Sequence, residues 1–328
     1  MPAPAEPSPT TPVAAETPPI GLGSAPARRA VEVGYLFALV GALLFSTKAI
    51  IIKLAYAEAT DAETLLALRM GFSMPFYIAI GFAAVADRRR RRAPLPDKAT
   101  ALRAAAVGVL GYWFASYMDF LGLEYVSAQF ERLILFTYPL FVVVLGALFF
   151  GQPMRLKTLA AIGVSYAGLA LIFTEKAAIA GSDIAVGAGL VVLAAVAFAL
   201  YQLLAKPVIE RIGPRLFTCI AMSGAAAGAF IQFFLTHPVG DLAVGARLVM
   251  LSVFIAVGAT VLPSFFLNAA LHRISAQANA IIGTLSPVMT IALAVLILGE
   301  HLTVADVGGA ALVLAGVGWF SLADRRRS

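Results

Sequence analysis

"SAQFERLILFTYPLFVVVLGALFFGQ", residues 127–152, and "SAQANAIIGTLSPVMTIALAVLILGE", residues 275–300, are two versions of one segment. They align without a gap. Ser127-Ala128-Gln129 falls on Ser275-Ala276-Gln277, Pro139 on Pro287, and Gly151 on Gly299. The register continues downstream, where Ala160, Gly163, Ala167 and Ala170 fall on Gly308, Ala311, Ala315 and Gly318. Small residues at that helical spacing let two helices approach closely. Upstream, "GYLFALVGALLFSTKAIIIK" (34–53) lies over "GAGLVVLAAVAFALYQLLAK" (187–206) and ends with Lys53 on Lys206. Chance likeness between apolar helices does not hold register across two helices and a loop.

The surroundings of the repeat say what kind of helix it is. The chain is 61% hydrophobic and 13% charged, with a mean hydropathy of +0.91. A soluble domain is about half apolar and about a quarter charged, so this is a polytopic membrane protein. Ten apolar runs follow residue 32, at 33–56, 62–85, 100–122, 127–150, 157–174, 184–205, 214–235, 246–270, 275–298 and 303–322. About 20 apolar residues cross a bilayer as a helix, and lipid obliges the backbone to satisfy itself. The expected fold is all-α and integral to the membrane. Its ten transmembrane helices form two five-helix repeats, 31–176 and 183–323. Five is odd, so the second repeat enters from the opposite face. Such inverted repeats are common in secondary transporters.

Residues 1–30 are rich in Pro, Ala and Thr, lack an apolar core, and read as a disordered cytoplasmic tail rather than a signal peptide. Residues 324–328 form a short basic tail. With the N-terminus in the cytoplasm, the cytoplasmic segments carry nearly all the loop cations, including Arg88–Arg92, Lys98, Lys206, Arg211 and Arg273. The other side holds Lys176 and Arg247 beside Glu58, Asp61, Glu63, Glu124, Asp241 and Glu300. Lys and Arg collect on the cytoplasmic side. Both termini are expected there, with the protein multi-pass in the cytoplasmic (inner) membrane. The arginine run is then a topology determinant on an anionic leaflet, and nucleic acid is not expected as a partner.

Several chemistries find no residues. The single Cys219 supports neither a disulfide framework nor a cysteine metal site. His237, His272 and His301 fall in or beside loops, and no H-E-x-x-H or Walker A sequence occurs. No enzyme activity, metal or cofactor is expected.

With the repeat, "IIKLAY" around Lys53, "LLALRMGFS" around Arg69 and "LEYVSA…YPLFVVVLGALFFG" in place, the chain resembles the EamA-type branch of the drug/metabolite transporter superfamily over residues 33–322. The second copy is closer to that pattern, since it keeps Gly299-Glu300 where the first has Gly151-Gln152. The resemblance implies a basket of ten helices around a central cavity. It also implies transport of a small metabolite, most often outward in bacteria.

Apart from charges near span ends, six ionisable residues inside spans stand out, all in the first copy: Lys48, Lys53, Arg69, Asp119, Glu131 and Arg132. A cation at mid-helix costs about 2.5–3.5 kcal/mol on the insertion scale, so these residues must pair or line a wet cavity. Depth at about 1.5 Å per residue sets Lys48 against Glu131, and Asp119 against Arg69 or Arg132. One reading is a set of ion pairs locking the first four helices together. The other is a site facing substrate, where four cations against two carboxylates favour an anion or the carboxylate of an amino acid. A carboxylate paired with a lysine also offers a place for proton coupling. Helical phase adds Tyr112 and Ser116 beside Asp119, and Tyr138 beside Glu131. Their repeat partners Asn279 and Ser286 join them, with Tyr201, Gln202, Phe265 and Asn268. Pro139 and Pro287 are hinge candidates.

The expected function is alternating-access export of a small anionic or zwitterionic metabolite, such as an amino acid or organic acid. A homodimer is compatible with it. The alternative is a lipid flippase or a structural membrane subunit. A hydrophilic cavity favours the first, and a groove open to lipid favours the flippase.

Overall fold

A computed structural model of the chain describes residues 25–151, 160, 163–164, 166–168, 170–172, 174–175, 183–274, 279, 282 and 285–325. Residues 1–24 and 326–328 of the expected tails, eight of the eighteen residues of the expected 157–174 span and the first part of the 275–298 span lie outside these residues; residues 25–30 and 324–325, expected in the tails, belong to the first and last helices. Among the described residues there is no strand. Seven helices among the described residues are long and apolar enough to cross a membrane, and two shorter apolar ones, Met289–Leu298 and Val304–Gly316, follow them.

The first span is α1 (Ala25–Ser46) and α2 (Lys48–Tyr56), interrupted at Thr47. Next comes α3 (Ala62–Arg90), started by Asp61, whose carboxylate accepts from the Thr64 amide at 2.7 Å. The third span joins α4 (Lys98–Gly108) to α5 (Ala115–Tyr125) through a π-turn at Val109–Phe114. Asp97 caps it, and hydrogen bonds from Thr100 hold its exposed carboxyl below the usual carboxylate range. The fourth span breaks at Phe136–Thr137 into α6 (Ala128–Leu135) and α7 (Tyr138–Phe150). Pro139 sits in the first turn of α7, where its missing N–H is not needed. Then come α8 (Asp183–Ile212) and α9 (Pro214–Thr236). A second π-turn, Val257–Val261, joins α10 (Ala246–Ala256) to α11 (Leu262–Arg273). Last are α12 (Leu285–Leu293), which holds Pro287 and runs into a third π-turn at Ala294–Leu298, and α13 (Val304–Arg325).

The internal repeat is visible in this geometry. Gly151 and Gly299, aligned in sequence, both end their helices in the left-handed region, at φ +65° and +67°. In the register that sets Ser127 on Ser275, the π-turn Val109–Phe114 falls on Val257–Leu262, over the second π-turn. Packing obeys the same exchange. The first span packs on α11, and its counterpart α8 packs on α5, the counterpart of α11. Both contacts are close because glycine permits it. A Cβ on Gly41 would stand 2.9 Å from Leu267 Cγ, and one on Gly122 would stand 2.5 Å from Val191 Cγ2.

Candidate functional site

These crossings leave a cavity between the first, third and fourth spans, α8 and α11. Its wall repeats too. Phe45 and Phe198 are counterparts, as are Tyr112 and Thr260, and Ser116 and Ser264, and all six line it. The two π-turns bring the latter pairs to the wall. π-turns often mark functional sites because they re-aim side chains and free carbonyls.

One end is charged. Lys48 is the first residue after the break at Thr47, and its Nζ lies 2.5 Å from Asp119 Oδ2, both side chains buried. Lys48 also stands 4.5 Å over the Phe45 ring. Arg69, buried on α3, donates to the Tyr112 carbonyl at 3.0 Å, inside the π-turn, and covers the Phe120 ring at 5.1 Å. Its Nε has no partner, and no carboxylate lies within ion-pair distance among the described residues. The lining therefore carries two cations and one carboxylate.

Sequence depth paired Lys48 with Glu131; the structure pairs it with Asp119 instead. Depth does not define the direction a side chain takes around its helix, and Asp119 is on the face of α5 turned towards α2. Glu131 lies behind, beside the Asp119 carboxyl and 3.6 Å from Arg132 Nε. Arg132 is fully buried and covers the Phe45 ring at 5.4 Å. Glu131 and Arg132 thus touch the cavity only through their neighbours. Lys53 is half-exposed near Glu124, Glu131 and Glu300 and does not line it.

The other end is neutral. Tyr201 Oη lies 2.9 Å from Tyr112 Oη and 2.7 Å from Asn268 Oδ1. The Asn268 amide donates to Tyr112 Oη at 3.0 Å and to Thr218 Oγ1 at 2.9 Å. This chain ties the two halves together, and each of its groups has a partner. Tyr138, Gln202 and Asn279 also line the cavity.

Two other expected residues are placed elsewhere. Phe265 packs on Tyr77, with ring centroids 5.7 Å apart. Ser286 Oγ lies 2.6 Å from Ser46 Oγ, while Thr290 donates to the Ser46 carbonyl at 2.9 Å. Two hydroxyls of α12 thereby hold the broken end of α1. Phe45, Phe198, Thr260 and Ser264 line the cavity without having been singled out by sequence. Their signal was the repeat itself, read residue by residue into helices one and six and then three and eight.

The chain matches the EamA-like transporter family twice, over residues 32–174 and 185–322. It is 29% identical over 306 residues to the uncharacterized transporter YcbK of Bacillus subtilis, covering 88% of this chain and 94% of that one. An uncharacterized transporter of Clostridium kluyveri is 24% identical over 288 residues, covering 86% and 91%. A solved crystal structure superposes on 90% of this chain and 99% of its own with a TM-score of 0.63, at 19% identity, a likeness of fold. Two matches to one family, apolar helices throughout and a cavity at the meeting of the two halves lead to one conclusion: the chain belongs to the EamA-like transporter family, within the drug/metabolite transporter superfamily.

Proposed function

We propose that this protein is a secondary active transporter that exports a small metabolite carrying a carboxylate, an anion or zwitterion such as an amino acid or organic acid. Ten transmembrane helices in two inverted five-helix halves would alternate access to the cavity, in the cytoplasmic membrane with both termini inside. The observation that carries this reading is the charge of the lining. Lys48 is neutralised by Asp119, Arg69 has no counter-ion, and the Glu131–Arg132 pair behind them sums to zero. One positive charge awaits a partner, and a guanidinium matches a carboxylate in charge and geometry.

The orientation is supported by the ends of the molecule. Arg88 donates to the Ile212 carbonyl at 2.6 Å, gathering basic segments at one end. At the other end Arg247 meets Glu58 at 3.2 Å, and His237 approaches Asp61 at 3.6 Å. Proton coupling is part of the proposal. Asp119 Oδ1 and both Glu131 oxygens lack a donor; with both carboxylates ionised, as in the count above, a proton taken up between them during the transport cycle supplies one and raises the excess charge to two. The charged groups facing them are Lys48, Lys53, Arg69 and Arg132.

The test is uptake of labelled carboxylates into proteoliposomes, with Arg69→Gln and Arg69→Lys alongside. Loss of uptake in Arg69→Gln, with partial retention in Arg69→Lys and normal thermal stability in both, supports the reading. Equal transport of carboxylates by wild type and Arg69→Gln rejects it.

A further inference from the structure

The cavity wall contains two buried carboxamides whose bonding is incomplete. Gln202 is 2% exposed, and neither its oxygen nor its nitrogen has a hydrogen-bond partner. Asn279 is 6% exposed, and its Oδ1 has none. Both line the cavity. Tyr138 Oη lies beside the Gln202 amide without reaching hydrogen-bond geometry. The contrast with their neighbours matters: Tyr112, Tyr201, Asn268 and Thr218 satisfy one another. Buried polar groups are paired almost everywhere in proteins, and those that are not need an ion, a water or a ligand to explain them.

The atoms left open specify what they receive. Two of the three are acceptor oxygens, so the incoming group must bring N–H or O–H donors. The charge count then limits that group. The lining has one excess positive charge, which one carboxylate balances. An ammonium would restore the imbalance and find only dipoles at the Gln202 end, within the same cavity as Lys48 and Arg69.

We infer that Gln202 and Asn279 are specificity-determining residues for a monocarboxylate whose second recognised group is an uncharged donor, a hydroxyl or an amide N–H. The ligand class is therefore the hydroxycarboxylates and N-acylated amino acids, ahead of free zwitterionic amino acids. This rests on the proposal that the carboxylate sits at the Arg69 end. Phe45 and Phe198 then receive the apolar middle of the molecule, between the two polar ends.

The experiment is calorimetric binding to the full chain in detergent, with matched series built on three side chains: methyl, isobutyl and benzyl. Each series holds the free amino acid, its N-acetyl derivative, the 2-hydroxy acid and the plain acid without a donor. In at least one series the hydroxy or N-acetyl acid should bind about tenfold or more tightly than the plain acid and the free amino acid, since a site built for a hydrogen bond rejects ligands lacking it. Gln202→Leu and Asn279→Leu should each reduce that advantage to within about threefold. Preference for the free amino acid, or an advantage that survives both substitutions, overturns this inference and leaves the carboxylate reading standing. Binding of none of the series, or carboxylate binding indifferent to Arg69→Gln, overturns the carboxylate reading and this inference with it.

Discussion

Phe45 and Phe198 stack with ring centroids 6.4 Å apart and ring planes 12° apart, and each is the other's counterpart in the internal repeat. Two equivalent residues meet only near the axis that relates their halves, so the stack marks the centre of the molecule. The cavity is built around it. Its two sides are chemically unequal, because Phe45 also faces Lys48 and Arg132, whereas Phe198 faces Tyr138 and Tyr201.

That inequality predicts unequal mutants. Phe45→Leu removes two desolvated cation–π contacts, each worth about 2 kcal/mol, whereas Phe198→Leu removes the same ring area and two aromatic pairs, each worth about 0.5–1.5 kcal/mol. Phe45→Leu should therefore be the less stable of the two by about 1 kcal/mol or more, read as thermal unfolding in one detergent. Equal melting temperatures would remove the cations' share in the stack.

The buried Lys48–Asp119 pair should behave as a unit. Lys48→Met or Asp119→Leu alone strands a charge and should cost about 3–5 kcal/mol. The double variant should regain most of that stability and lose transport. A double-mutant cycle on thermal unfolding measures the coupling, and additive losses would mean that the two groups do not interact.

Glycine near the first π-turn should be irreplaceable, and glycine in the second should not. A Cβ on Gly108 would collide with the Ala221 carbonyl group, which is backbone and cannot step aside. Nothing lies within 4 Å of a Cβ on Gly258. Gly108→Ala should abolish folded yield, as large steric changes in packed interiors do, while Gly258→Ala should give wild-type yield and melting. Fluorescence-detected size exclusion decides between these outcomes.

Glu300 caps a helix of the other half. Its carboxylate accepts from the Ala128 amide at 2.9 Å and the Gln129 amide at 3.3 Å, at the start of α6. A carboxylate there satisfies two free N–H groups and meets the positive end of the helix dipole. Glu300→Gln keeps one acceptor oxygen and loses the charge. It should lower stability by about 1–2 kcal/mol and speed hydrogen exchange at Ala128–Phe130. Unchanged exchange at those amides would show that the cap is dispensable.

Much of this was legible in the chain. Membrane residence and the repeat follow from apolar runs and an ungapped register, because lipid permits few backbone solutions and each demands long apolar stretches. The same register placed Asn279 opposite Glu131, and helical phase grouped Tyr112, Ser116 and Asp119 on one face, as found at the cavity wall. What sequence did not contain was direction around each helix axis. Depth is a linear quantity, counted along the chain, and it set Lys48 against Glu131 and Asp119 against Arg69 or Arg132. The choice of Asp119 depends on how α2 and α5 face each other, which only their packing in three dimensions decides. Ser286 was read as lining for the same reason, yet the break at Thr47 turns Ser46 towards it and closes a hydrogen bond instead. The π-turns had no sequence signal of their own. Each is a local change of helical phase, and it is stable only because the neighbouring spans take up the groups it releases, as Arg69 does for the Tyr112 carbonyl.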